Sequence, residues 1–206
     1  IDGVHFDDYF YPYPETQPLR DSETYYKYGR AFKNIDDWRR NNVDTLIHTL
    51  SDSIRLAKKH IKFGVSPFGI WRNKSQDPEG SESNGFDGYG KLYANARKWV
   101  QSGWLDYINP QIYFPFGYQV APYDKLLDWW SNNTFGKHLY VGQGVYRALE
   151  NRPGWSDRSQ IPKQIRYLRN NKNAHGSVFF SSKSVTNNMA GVKDSLRRDF
   201  YRYPAL

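Results

Sequence analysis

Short runs of apolar, β-branched and aromatic residues recur five times along the chain: 3–7 (GVHFD), 62–66 (KFGVS), 106–113 (DYINPQIY), 138–145 (HLYVGQGV) and 176–181 (GSVFFS). Each reads as a strand. Between them the apolar positions change to three- and four-residue steps. The clearest case is 37–60, where Val43, Leu46, Ile47, Leu50, Ile54 and Ala57 recur at helical spacing, with Asp36 or Asp37 placed to cap the N-terminus. Further helices are predicted at 91–102, 123–132, 160–171 and 187–199. Strand and helix thus alternate five times, which predicts βα units around a parallel sheet with right-handed crossovers. Such a sheet is either doubly wound or part of a barrel. The loops after the strands are long, aromatic and rich in Gly and Pro, whereas the helix-to-strand links (SGWLD, TFGKH, NKNAH) are short. A (β/α) barrel builds its site from the loops after its strands. The expected fold class is therefore α/β, a partial (β/α)8 TIM-type barrel of about five parallel βα units corresponding to strands four to eight, because five units do not close an eight-stranded barrel. The whole chain, 1–206, is expected to be one domain, with 74–90 (KSQDPEGSESNGFDGYG) polar and glycine-rich enough to be mobile.

Composition narrows the class of partner. With 38% hydrophobic and 24% charged residues the chain is globular, and no apolar run is long enough to predict a transmembrane helix. Aromatic residues make up 17% of the chain, and Tyr and Trp offer flat apolar faces with polar tips that suit sugar rings. The net charge of +8 suits an anionic partner, but Lys and Arg are spread over predicted helices such as 55–62 and 163–172 instead of forming one block, so no nucleic-acid partner is expected. The absence of cysteine excludes disulfides and thiolate chemistry. A start at Ile1, without an initiator Met, reads as a cut in a longer protein.

The candidate chemistry lies at the predicted strand ends. Side chains alternate faces along a strand, so His5, Asp7 and Tyr9 point one way while Phe6 and Asp8 point the other. The polar set fits a barrel interior and the Val4/Phe6 set fits the helix-packed outside, which makes Asp7 the inward carboxylate and leaves Asp8 to reach the rim or hydrogen-bond loop amides. Spacing alone equally allows an Asp pair that holds a turn through backbone hydrogen bonds. Ser66, Asn109, Gln111, Tyr113, Gln143 and Ser181 add neutral hydrogen-bonding groups, and Phe68, Trp71, Phe116 and Tyr146 add ring faces, a set suited to a polyol. The five histidines show no metal-ligand spacing, and there is no phosphate loop and no GxSxG elbow, so neither a metal nor a cofactor is expected. Glycoside hydrolysis usually needs two carboxyl groups. Beyond Asp7 and Asp8 no predicted strand end carries one, which leaves the loop residues Glu15, Asp21, Glu79, Glu82 and Asp87, or a preceding half of the barrel, to supply the second.

Six motifs, "DGVHFDDYFYP", "DDWRRNNVDTLI", "KFGVSPFGIWRN", "DYINPQIYF", "YVGQGVYR" and "GSVFFSSK", follow one another from the first residues to about 184. In that order they resemble the bacterial glycosyl hydrolase-like family ten. The resemblance implies a (β/α)8-type barrel entered at about its fourth strand. It implies a glycoside hydrolase of the secreted or cell-envelope class, periplasmic or lipoprotein-anchored in the parent protein, acting on envelope polysaccharide such as peptidoglycan glycan strands, particularly those stripped of stem peptides. Asp7 and Asp8 fall on the family's acidic fourth-strand motif and are implied to be the catalytic pair or its core. Contact with substrate, or support of the site, is implied for Arg39, Arg40, Trp71, Arg72, Gln111 and Gln143; His5, Tyr9, Tyr11, Ser66, Phe68, Tyr113, Tyr146 and Ser181 complete the candidate substrate-binding set. A guanidinium could hold the lactyl carboxylate of muramic acid bidentately, and solvated first-turn positions for Arg39 and Arg40 are the equal alternative. "DGVHFDDY" is also similar to the DGxDxDxE motif of family eighteen chitinases, but Tyr9 stands where their catalytic glutamate would be, which argues against chitinase chemistry. A half barrel leaves two open sheet edges, so pairing with a second copy or with the N-terminal half is expected, together with inactivity of the isolated segment. The alternative is a non-catalytic carbohydrate-binding or structural barrel fragment.

Overall fold

The computed structural model describes residues 1–8, 10–14 and 18–203. Five strands, β1 (Gly3–Phe6), β2 (Lys62–Val65), β3 (Tyr107–Ile108), β4 (His138–Gly144) and β5 (Ala174–Phe180), pair in that order, and every pair is parallel. The consecutive order decides between the two parallel architectures. A doubly wound sheet reverses direction at a switch point, whereas this one advances by one strand at each crossover, as an arc of a (β/α) barrel does.

The helices form where the apolar spacing predicts them, with local chemistry setting their ends. Helix α2 (Ile35–Ala57) is capped by Asn34, whose side chain accepts from the Asp37 amide at 2.8 Å. The cap is therefore not Asp36 or Asp37; both lie in the first turn, where a negative charge favours the helix dipole. Helix α5 (Tyr123–Asn132) matches its predicted span, and α6 (Gln160–Arg169) ends two residues early. The predicted 91–102 helix shortens to α4 (Ala96–Gln101), because left-handed Tyr93 (φ 56°) separates it from the single turn α3 (Gly88–Lys91). Helix α1 (Ser22–Tyr28), inside the first long loop, lies outside the predicted helices. The predicted 187–199 helix is broken into a 3-10 turn (Met189–Gly191), α8 (Val192–Ser195) and a π turn (Leu196–Phe200), preceded by α7 (Ser182–Thr186). Left-handed backbone at Asn188 and Ala190 (φ 52° and 53°) interrupts it. Strand β3 is shorter than 106–113 because Pro110 has no amide hydrogen for the ladder. Within the 74–90 stretch Asn73 holds the Gly85 amide and carbonyl at 3.0 and 2.8 Å, and Ser81 and Asp87 are buried.

One face of the sheet carries the core. Phe63, Val65, Ile108, Leu139 and Val141 pack with Val43 and Ile47 of α2, Trp99 of α4, and Leu126, Leu127 and Trp130 of α5. Asp44 ties α2 to α4 by accepting from the fully buried Trp99 Nε1 at 2.6 Å and from Lys98 Nζ at 2.7 Å. Asp44→Ala would leave the indole N–H without an acceptor, at a cost of about 2 kcal/mol. Urea unfolding should show that loss, with Asp44→Asn, which keeps an acceptor, losing less. Among the described residues no helix is long and apolar enough to cross a membrane.

Candidate active site

Strand alternation places His5 and Asp7 on the face of the sheet opposite the core, while Val4 and Phe6 pack against the core cluster. Asp7 follows β1 directly. Its Oδ1 accepts from Gln111 Nε2 at 2.6 Å and from the Asp8 amide at 2.9 Å. Gln111 is held in turn, since its Nε2 also donates to the Ser66 carbonyl at 3.0 Å and its amide donates to the Pro67 carbonyl at 2.9 Å. Both side-chain hydrogen bonds that the described residues give Asp7 fall on Oδ1, which orients the carboxylate and leaves Oδ2 for a ligand. Asp8 takes the other direction. It is 5% exposed and its Oδ2 accepts from the Tyr13 hydroxyl at 2.8 Å, so it anchors the loop after β1.

Below Asp7 a hydrogen-bond chain links the first three strands. Asn109 Nδ2 donates to Ser66 Oγ at 2.9 Å, and Ser66 Oγ shares a hydrogen bond of 2.7 Å with His5 Nε2. His5 Nδ1 shares another, of 2.9 Å, with the Tyr107 hydroxyl, so the ring is held through both nitrogens. Gly64 makes this approach possible: the Tyr107 ring occupies the space that a Cβ at position 64 would need. Desolvation of His5 lowers its pKa, opposed by the neighbouring Asp7 charge. A depressed histidine pKa means that the unfolded chain binds the extra proton more readily. The stability contributed by neutral His5 is complete above about pH 6.5 and is lost as pH falls through the depressed value. Between pH 7 and pH 5 the urea midpoint of the native chain is therefore expected to fall further than that of His5→Gln.

Above this chain lies a cleft of about 390 Å³, lined among the described residues by Asp7, Tyr13, Phe68, Gln111, Tyr113, Phe114, Tyr146, Arg147 and Phe180. These come from the segments after β1, β2, β3 and β4 and from the last residue of β5, the strand ends at which barrel sites form. The rings interlock: Tyr113 stacks on Phe180 at 5.9 Å, and Tyr146 meets both edge-on. A second hollow of about 270 Å³ shares Tyr113, Phe114 and Arg147 with the first and adds Tyr118, Arg152 and Trp155, so the ring-lined surface is elongated. One anchored carboxylate, a side-chain amide and several ring faces can hold a sugar by its hydroxyls and its apolar face.

The structure brings Asp7, Phe68, Gln111, Tyr113 and Tyr146 together at the cleft, with His5 and Ser66 supporting them from below. Other candidates lie elsewhere. Trp71 is 7% exposed in the core, stacked on Trp129 at 5.5 Å, and Phe116 packs between Tyr123 and Tyr167. Gln143 is fully buried on the helix side of β4, in alternation with Leu139 and Val141, and donates toward Tyr123 and Gln164. Ser181, one residue past Phe180, stands at the N-terminus of α7. Arg72 reaches Asp87 at 3.3 Å, and Arg40 reaches Asp37 at 2.6 Å. Arg39 is held bidentately by Asp21 at 2.6 and 2.8 Å, which keeps the Asp21 carboxyl below its ordinary range, and donates to Tyr93 at 2.7 Å. It lines a separate hollow with Pro12, Leu19 and Tyr93. Tyr11 packs edge-on to Tyr93. Tyr9 and Glu15 lie outside the described residues. None of the loop acids Asp21, Glu79, Glu82 and Asp87 lines the cleft; Glu79 pairs with Arg97, Glu82 with Lys74 and Lys125. Among the described residues no cluster of His, Asp and Glu could hold a metal.

Fold and cleft together define a partial (β/α) barrel with its candidate site at the C-terminal ends of the strands. The family model described as Glycosyl hydrolase-like 10 matches residues 1–157, and the chain belongs to that family. It is 48% identical over 212 residues to the glycosyl hydrolase YngK of Bacillus subtilis (strain 168), a match that covers all of this chain and 42% of that protein. It is 44% identical over 173 residues to the glycosyl hydrolase DigH of Escherichia coli (strain K12), covering 82% of this chain and 39% of that protein. The chain thus spans about two-fifths of the length of these curated relatives.

Proposed function

We propose that the chain is the catalytic-strand segment of a glycoside hydrolase that cleaves envelope polysaccharide, with peptidoglycan glycan strands as the substrate and Asp7 as a catalytic carboxylate. The observation that carries this reading is the placement of Asp7: a carboxylate fixed through one oxygen, turned into a cleft of aromatic rings at the strand ends. Aromatic faces cover sugar rings, Gln111 serves hydroxyl groups, and Arg147 offers a cation to an acidic substituent. The second carboxyl group that glycoside hydrolysis uses comes, on this reading, from the rest of the barrel, with β1 and β5 as the edges to which further strands or a second copy add. A secreted or envelope location follows from the proposed substrate.

A second reading, a non-catalytic glycan-binding barrel segment, is favoured by one observation: Asp7 is the one carboxylate lining the cleft among the described residues. Incubation with purified glycan strands, bearing or lacking stem peptides, separates the two. Soluble fragments released by the full-length protein support the hydrolase; strands that bind and stay intact support the second reading.

A further inference from the structure

Cations without a carboxylate partner gather at the end of the barrel opposite the cleft. At the cleft end Arg39, Arg72, Arg97 and Lys125 are matched with Asp21, Asp87, Glu79 and Glu82, and the cations there without such a partner, among them Lys33, Lys91, Arg158 and Lys183, are spread over separate loops. The helix-to-strand links meet at the opposite end, because every strand is parallel and every helix returns the chain to that end. Together with the last turn of α2 they carry Arg55, Lys58, Lys59, Lys62, Lys137 and Lys172, all exposed except the half-buried Lys137. Among the described residues none of the six lies within 4.0 Å of a carboxylate. The acids at this end are few and partly committed: Asp106 accepts from the Phe63 amide at 2.9 Å, and Asp52 faces His48 at 3.4 Å. The lysines that look scattered in sequence are therefore gathered by the fold. Among them, on the last turn of α2, Leu56 is 88% exposed beside Arg55 and Lys59.

We propose that this end of the barrel docks on an anionic lipid bilayer, with Leu56 entering the headgroup layer and the lysines meeting lipid phosphates. Lysines are compact point charges on long stems, suited to a diffuse field of phosphates, and an exposed leucine among them adds the apolar contact that a membrane surface rewards. An anionic polymer would not use Leu56, and the aromatic cleft suited to a glycan is at the other end. Docking this way turns the Asp7 cleft away from the bilayer. The inference stands apart from the proposed hydrolysis and is read without a glycan.

Sedimentation of the 206-residue chain with vesicles tests it, using phosphatidylcholine alone and phosphatidylcholine with one-third phosphatidylglycerol, at about 0.05 M and about 0.5 M salt. Binding is expected on the anionic vesicles alone and at the lower salt. The triple reversal Lys58→Glu, Lys59→Glu and Lys62→Glu is expected to weaken it by about 100-fold, Leu56→Ala by several-fold, and Lys125→Glu at the cleft end not at all. Far-UV circular dichroism of each variant separates lost binding from lost fold. Equal binding to neutral vesicles, no binding at low salt, an unaffected triple variant, or capture by DNA or an anionic polysaccharide in place of the vesicles would overturn the proposal.

Discussion

Residues 1–206 alone are expected to release no reducing ends from glycan strands, and addition of the preceding barrel strands is expected to restore turnover. The reason is geometric. The sheet is an arc with β1 and β5 at its edges, and its inner face leaves Val178 and Phe180 43% and 50% exposed. Inner-face side chains of a closed barrel are packed against one another. The cleft presents Asp7 without a second carboxylate among its described lining residues, and acid or nucleophile alone leaves half of the chemistry unserved. Open strand edges also recruit other strands, so the isolated chain is expected to self-associate. Sedimentation velocity and a reducing-end assay, with and without the complementary segment, check both statements. Turnover by the isolated chain at the rate of the full-length protein would contradict them.

In the complete protein Asp7→Asn is expected to lower kcat by at least about 100-fold, the smallest effect usual for loss of a positioned proton-transfer group. Asparagine keeps the size of the side chain and its acceptor for Gln111, so glycan affinity is expected to persist. Asp8→Ala has a different expected signature. Its carboxylate is buried against the Tyr13 hydroxyl and holds a loop that lines the cleft. Loss of one such hydrogen bond costs about 1 kcal/mol, roughly fivefold in rate or affinity. Tyr13→Phe removes the same bond, so the double variant should behave like either single one. Isothermal titration with glycan strands and single-turnover assays separate the two carboxylates. Equal effects of the two substitutions would show that the pair acts as a unit.

Much of this arrangement is legible in the residues. The alternation of strand and helix, the long loops after the strands and the 37–60 periodicity lead to the observed parallel arc, and alternation in β1 separates Asp7 from Asp8 as the structure does. The same rule applied to β4 would have placed Gln143 with Leu139 and Val141 on the helix side, and applied to β5 would have turned Phe180 inward and Ser181 away. Those signals were present but masked by the polarity of Gln143 and Ser181. Trp71 could not be assigned from sequence, because a tryptophan after a strand serves equally as a sugar platform or as core, and its stacking on Trp129 depends on a residue 58 positions away. Tyr13 and Arg147 reach the cleft from loops whose path no periodicity encodes. The split of 187–199 is similar: its composition is helical, and the break lies in left-handed backbone at Asn188 and Ala190, neither a glycine.

The central claim is that the anchored Asp7 carboxylate cleaves a glycan held in the ring-lined cleft. The most direct measurement is release of new reducing ends from purified, stem-peptide-free glycan strands by the full-length protein and by its Asp7→Asn variant, with strand binding followed in the same samples. The account predicts turnover by the native protein and its loss in the variant while binding persists. Undiminished release by Asp7→Asn would contradict it.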